Sequence, residues 1–116
     1  MCGILLIFSK NETSLNKKKC LGAFKTLDKR GPDKKLYNFF LNDRIFLGNT
    51  ILSITGNLKE GRTLYNSSNK QNYTSYNGEI YNFKKLAKKY KININTYKND
   101  TEFLTNFLGK KKILNS

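Results

Sequence analysis

Apolar residues recur along this chain in two spacings, and each predicts its own elements. Ile4-Leu5-Leu6-Ile7-Phe8 is an unbroken apolar run that stops at Ser9-Lys10-Asn11, as a short strand buried on both faces would. Cys2 stands at its leading end. Beyond Ser14, read as an N-cap, Cys20, Ala23, Phe24 and Leu27 fall at i, i+3, i+4 and i+7. That stripe predicts an amphipathic helix ending near Lys29. Arg30-Gly31-Pro32-Asp33 then breaks the pattern, because Pro32 lacks an amide donor and pushes Gly31 out of the helical region.

The β-prone runs Leu36 to Leu41 and Arg44 to Gly48 flank Asn42-Asp43, residues that tolerate the positive φ of a tight turn, so a β-hairpin is expected. Ile51 to Ile54 continues or restarts a strand, and the polar stretch 56–72 reads as irregular. Tyr73 to Tyr76 is a strand. Asn82 is placed to cap a helix carrying Phe83, Leu86, Ala87 and Tyr90, and Ile92 to Tyr97 reads as a further strand. Asp100 is placed to cap a last helix bearing Phe103, Leu104, Phe107 and Leu108, with Glu102 in the first turn, where the helix dipole favours an anion.

Composition changes this picture little. The 116 residues fit one domain, and 38% hydrophobic with 13% aromatic content suffices for a folded core. The formal charge is +14, but only Arg30, Arg44 and Arg62 among the 22 basic residues are Arg. Phosphate and base recognition lean on Arg forks, so the lysines read as a solvated face and nucleic acid is disfavoured as a dedicated partner. Two cysteines give no disulfide framework, and no stretch has the length of a membrane span. A reducing, cytoplasmic setting fits best. The first apolar run lacks a basic region before it, so Met1 and Cys2 belong to the protein proper.

With no His in the chain, histidine-based acid–base and metal chemistry is excluded, and no metal-ligand cluster is apparent. Removal of Met1 would leave Cys2 with a thiol and a free α-amine on one residue, a nucleophile carrying its own base. A small buried residue starting a strand is the commoner meaning of such a cysteine, and Cys20 on its helix stripe has that meaning even more plainly. Asn77-Gly78 is equally double-edged. It is a strong hairpin-turn signal, yet an Asn amide beside a Gly amide after a strand also supplies two donors to a developing oxyanion.

Met1-Cys2-Gly3-Ile4, Arg30-Gly31-Pro32-Asp33, Leu52-Ser53-Ile54, Tyr76-Asn77-Gly78-Glu79-Ile80-Tyr81-Asn82 and Asp100-Thr101-Glu102, in this order, resemble class II glutamine amidotransferases, and most closely glutamine-hydrolysing asparagine synthetases. The resemblance implies an α+β fold, the αββα sandwich of N-terminal nucleophile hydrolases, incomplete here. It implies that Cys2 attacks the carboxamide of L-glutamine to form a γ-glutamyl thioester, which water hydrolyses to glutamate, with ammonia as the useful product for asparagine biosynthesis. Asn77 and the Gly78 amide would form the oxyanion hole, Glu79 and Asp100 would hold the glutamine α-amine, and Ile51, Leu52, Ser53, Ile54 and Thr55 would line the pocket. No cofactor is implied for this chain. ATP and magnesium belong to a synthetase domain that the sequence does not contain.

The sequence departs from the family in two places. Ile51 occupies the position of an Arg that grips the glutamine α-carboxylate, and Asn49 that of a nearby His. Losing one partner of such a charge pair costs about 2–5 kcal/mol, so weak or absent glutaminase activity is expected unless Arg44 or Arg62 reaches in. The chain also ends where the family's glutaminase domain has further strands. The expectations are therefore an N-terminal part of that domain, completed by a separate chain, or a catalytically inactive truncated remnant.

Overall fold

The structure, a computed structural model, describes residues 2–52, 64–66, 73–97 and 99–109. The chain forms two compact units, Met1–Leu58 and Lys59–Ser116, each built on its own antiparallel sheet.

The first unit comprises β1 (Gly3–Phe8), α1 (Lys17–Lys25), β2 (Lys34–Phe40) and β3 (Ile45–Ile51). Its sheet has the order β1-β3-β2. Pairing runs from Gly3↔Thr50 to Phe8↔Ile45 on one edge of β3 and from Lys34↔Ile51 to Phe40↔Ile45 on the other. With both edges paired, β3 is buried from Phe46 to Ile51, whereas β1 alternates. Cys20 and Phe24 of α1 close over Phe46, with Leu5, Ile7, Leu15, Leu27 and Phe39 packed around them. The Phe24 ring meets Phe46 edge-on, at 5.5 Å between centroids, and lies across Gly48, where a Cβ would come within 2.7 Å of it.

Several expectations need correcting here. β1 is not buried on both faces: Leu5 and Ile7 turn under α1, while Ile4, Leu6 and Phe8 are 43%, 58% and 61% exposed. The cap of α1 is Asn16, which accepts from Lys19 N–H at 3.0 Å, and the helix ends at Lys25 rather than near Lys29. Ser14 instead donates to Asn42 O at 3.0 Å. Together with Leu15 N–H on Asp43 O and a Lys17–Asp43 ion pair at 3.1 Å, this bond ties the approach to α1 onto the hairpin turn. Ala23, expected on the core stripe, is exposed. The hairpin itself forms as expected, with Leu41, Asn42 and Asp43 all at positive φ.

The second unit comprises β4 (Leu64–Asn66), β5 (Tyr73–Ser75), α2 (Phe83–Lys89), a 3-10 turn at Ile94–Thr96 and α3 (Asp100–Leu108). β4 lies inside the stretch read as irregular and pairs antiparallel with β5; three residues are too few to show a period. The strand expected over Ile92 to Tyr97 is absent. Asn93 Oδ1 accepts from Asn95 N–H, and Thr96 Oγ1 donates to Asn93 O, so local side-chain bonds curl the backbone away from a ladder. Asn82 sits at the N-cap position of α2 without a side-chain cap bond. The cap of α3 is Asn99, not Asp100: its Oδ1 accepts from Glu102 N–H at 2.9 Å. Phe103 is the core of this unit, 1% exposed, with the rings of Phe83, Tyr97 and Phe107 around it.

Phe46→Ala removes the ring on which α1 rests. It is expected to lower stability by about 3–5 kcal/mol, as for other large core truncations. Urea denaturation followed by far-UV circular dichroism measures this, and a loss below about 1 kcal/mol would show that the site collapses to fill the void.

Candidate active site

Cys2 is half-buried and directly precedes β1. The next residue is held closely. Gly3 N–H donates to Thr50 Oγ1 at 3.1 Å, and the same hydroxyl donates to Leu27 O at 3.3 Å. Thr50 is wholly buried, so one side chain links the start of β1, the end of β3 and the turn after α1. No disulfide joins Cys2 and Cys20, and Cys20 is a buried core residue, as its place on the helix stripe predicts.

Arg30-Gly31-Pro32-Asp33 gains a physical meaning in this unit. Gly31 lies so close to β3 that a Cβ would sit 2.4 Å from both the Thr50 carbonyl carbon and the Ile51 nitrogen. Pro32 bridges to Ile51 in parallel, and Asp33 N–H donates to Ile51 O at 3.1 Å. The loop thus fixes the C-terminal end of β3, where the expected pocket residues begin. Ile51 is 5% exposed and Leu52 is 38% exposed; Ser53, Ile54 and Thr55 lie outside the described residues. Arg44 does not reach the Ile51 end of β3. It precedes the far end of β3, six residues from Thr50 along the paired register, about 20 Å at the rise of a strand. Arg62 lies outside the described residues.

Asn77, Gly78, Glu79 and Asp100 belong to the second unit. Asn77-Gly78 does not form a hairpin turn: β5 ends at Ser75, and the chain runs on through exposed Asn77, Gly78 and Glu79 toward α2. The Tyr76 ring folds back against Gly78, whose added Cβ would lie 2.7 Å from the phenol oxygen and 2.8 Å from the ring. Asp100, the first residue of α3, accepts from Ile80 N–H through Oδ2 at 2.7 Å. Thus Asp100 and the end of the Asn77–Ile80 segment are brought together. Sequence reasoning missed Thr50, Tyr76 and the Ile80 amide. The antiparallel register of β1 with β3 places Thr50 opposite Gly3, and Tyr76 lies within one of the family-like motifs, but side-chain period gives neither a register nor a backbone donor.

Among the described residues, no group of His, Cys, Asp and Glu could hold a metal ion. No helix among them is long and apolar enough to cross a membrane.

The first unit holds a Cys at the head of a strand and the second carries an Asn-Gly pair in a loop, residue types that amide hydrolases use as nucleophile and as oxyanion donors. A family model for the glutamine amidotransferase domain matches residues 1–111, and the chain belongs to that family. It is also 38% identical over 94 residues to a probable glutamine-hydrolysing asparagine synthetase of Acanthamoeba polyphaga mimivirus. That match covers 79% of this chain and 17% of the viral protein. No solved structure matches.

Two glycine substitutions separate loop packing from helix propensity. Gly31→Ala forces the loop off β3 and is expected to cost about 1–3 kcal/mol or more, as overpacking does. Gly22→Ala, in α1 with nothing within 4 Å of the added Cβ, should stabilise by about 0.5–1 kcal/mol. Thermal unfolding of both variants measures the opposite signs.

Proposed function

We propose that this chain is a glutaminase module of an asparagine synthetase-like amidotransferase, acting on L-glutamine through Cys2. The observation that carries the reading is Cys2 at the head of β1, in a chain whose glutamine amidotransferase match begins at residue 1. In this reading Met1 is removed and the Cys2 α-amine takes the thiol proton. Sγ then attacks the glutamine carboxamide carbon. The C–N bond breaks, the ammonium returns its proton to the departing nitrogen, and ammonia leaves. Water then hydrolyses the γ-glutamyl thioester, giving glutamate and restoring the thiol.

Asn77 and the Gly78 amide are the proposed oxyanion donors, each worth roughly 2.7–4 kcal/mol in such sites. Glu79 and Asp100 would pair with the substrate ammonium, and 51–55 would line the side-chain pocket. The αββα sandwich is part of the same proposal; antiparallel sheets with helices in both units are compatible with it. The hydrolysis itself uses no cofactor. ATP and magnesium would serve a synthetase module. A cytoplasmic setting suits a nucleophilic thiol that must stay reduced.

A second reading, a catalytically silent copy of the same domain, is favoured by Ile51. Its side chain is buried where the family pattern has the carboxylate-binding Arg.

Two measurements separate the readings. The intact mass of the purified protein is taken before and after exposure to a glutamine-mimicking electrophile, with Cys2→Ala and Cys20→Ala alongside. Loss of Met1 and one adduct that disappears only in Cys2→Ala are expected. Retained Met1 or an unreactive Cys2 would favour the silent copy. In the second, Ile51→Arg is expected to lower the melting temperature without ligand, since it places a guanidinium in a buried position, and to raise glutamine affinity tens to thousands of times. Glutamine should then shift the melting temperature of Ile51→Arg much more than that of the native chain; equal shifts would show that the Arg is dispensable.

A further inference from the structure

The segment that carries Asn77 and Gly78 lies between β5, which ends at Ser75, and α2, which begins at Phe83. Its end is fixed from a distance. Ile80 N–H donates to Asp100 Oδ2 at 2.7 Å, across 20 residues of chain, a length in the range of charge-assisted bonds to a carboxylate. Asp100 is itself well held. It opens α3, whose cap Asn99 binds Glu102 N–H, and its neighbours Thr101 and Phe103 are 5% and 1% exposed. A packed helix start therefore reaches back to the backbone two residues beyond Gly78.

We infer that Asp100 is a positioning residue for the Asn77 and Gly78 donors, acting through the Ile80 amide, in addition to the amine-binding role proposed for it. This inference rests on the glutaminase reading of the site. An ionised carboxylate offers about four acceptor positions on two oxygens, so one oxygen can keep the Ile80 amide while the group pairs with a substrate ammonium. One side chain would then join recognition of the α-amine to the geometry of the oxyanion donors. Asp100→Asn keeps an acceptor oxygen for Ile80 but removes the charge. Asp100→Ala removes both.

The test compares the native chain with these two variants, following amide hydrogen exchange at Ile80 and the labelling of Cys2 by a diazo-ketone analogue of glutamine. Asp100→Asn is expected to weaken the saturation constant of labelling while leaving its maximal rate and the Ile80 protection nearly unchanged. Asp100→Ala is expected to expose Ile80 about 10- to 100-fold, the fold-change of a hydrogen bond to a charged group, and to lower the maximal rate in step. Unaltered protection in α2 and α3 identifies the effect as local. Asp100→Ser, too short to reach Ile80, replaces Asp100→Ala if that variant unfolds. Equal Ile80 exchange in the native chain and the Ala variant, or equal maximal rates for Asn and Ala, would overturn the inference. Absence of labelling both in the native chain and in Ile51→Arg would instead sink the glutaminase reading, and Ile80 exchange would still decide whether Asp100 holds the loop.

Discussion

The close approach of Gly31 to the backbone of Thr50 and Ile51 is the constraint on which the first unit's candidate site depends. β3 is paired on both edges as far as Thr50 and Ile51, and its C-terminal end is held in addition by the loop that joins α1 to β2. The Arg30–Asp33 segment of that loop does this with a glycine that admits backbone contact, a proline that bridges to Ile51, and an amide that donates to Ile51 O. From that end Thr50 reaches back to Gly3 and to Leu27. The residue beside Cys2 is therefore located by the same few atoms that locate the start of the proposed glutamine pocket.

Charge is distributed unevenly over the proposed substrate contacts. The carboxylates assigned to the substrate amine are retained, and Asp100 is also engaged by the backbone through Ile80. At the proposed opposite end of the amino acid, the position of the family's Arg is taken by a buried, apolar Ile51, and Arg44 precedes the far end of β3. In the proposed reading Ile51 bears on binding rather than bond breaking, since the residues proposed for the chemistry, Cys2, Asn77 and Gly78, are all present.

Legibility in the sequence followed the range of the forces involved. The hairpin around Asn42-Asp43 and the α1 stripe of Cys20 and Phe24 were readable because turn chemistry and helical period are local. The Ile92 to Tyr97 stretch misled because its apolar residues alternate as in a strand, while Asn93 and Thr96 close side-chain bonds onto their own backbone. Ser14 and Asp100 each have the residue type of a cap, although Asn16 and Asn99 make the cap bonds; several polar residues near a helix start are equally good in sequence. The exposed side of β1 was hidden because an unbroken apolar run has no period from which to read its faces. Of the candidate site, the motifs singled out Cys2, the Asn77-Gly78 pair and the acidic residues as candidates. The buried Thr50 bridge and the Asp100–Ile80 bond, across 47 and 20 residues of chain, carry no local signal.

The proposed chemistry stands or falls on whether Cys2 carries the γ-glutamyl group, and trapping that group decides it. Hydroxylamine converts a γ-glutamyl thioester into the γ-glutamyl hydroxamate, which is measured from glutamine with Ile51→Arg, so that weak binding does not mask the chemistry. Hydroxamate is expected from Ile51→Arg, and none once Cys2→Ala is added to it. Hydroxamate from both proteins, or from neither, would refute the assignment of Cys2 as the nucleophile.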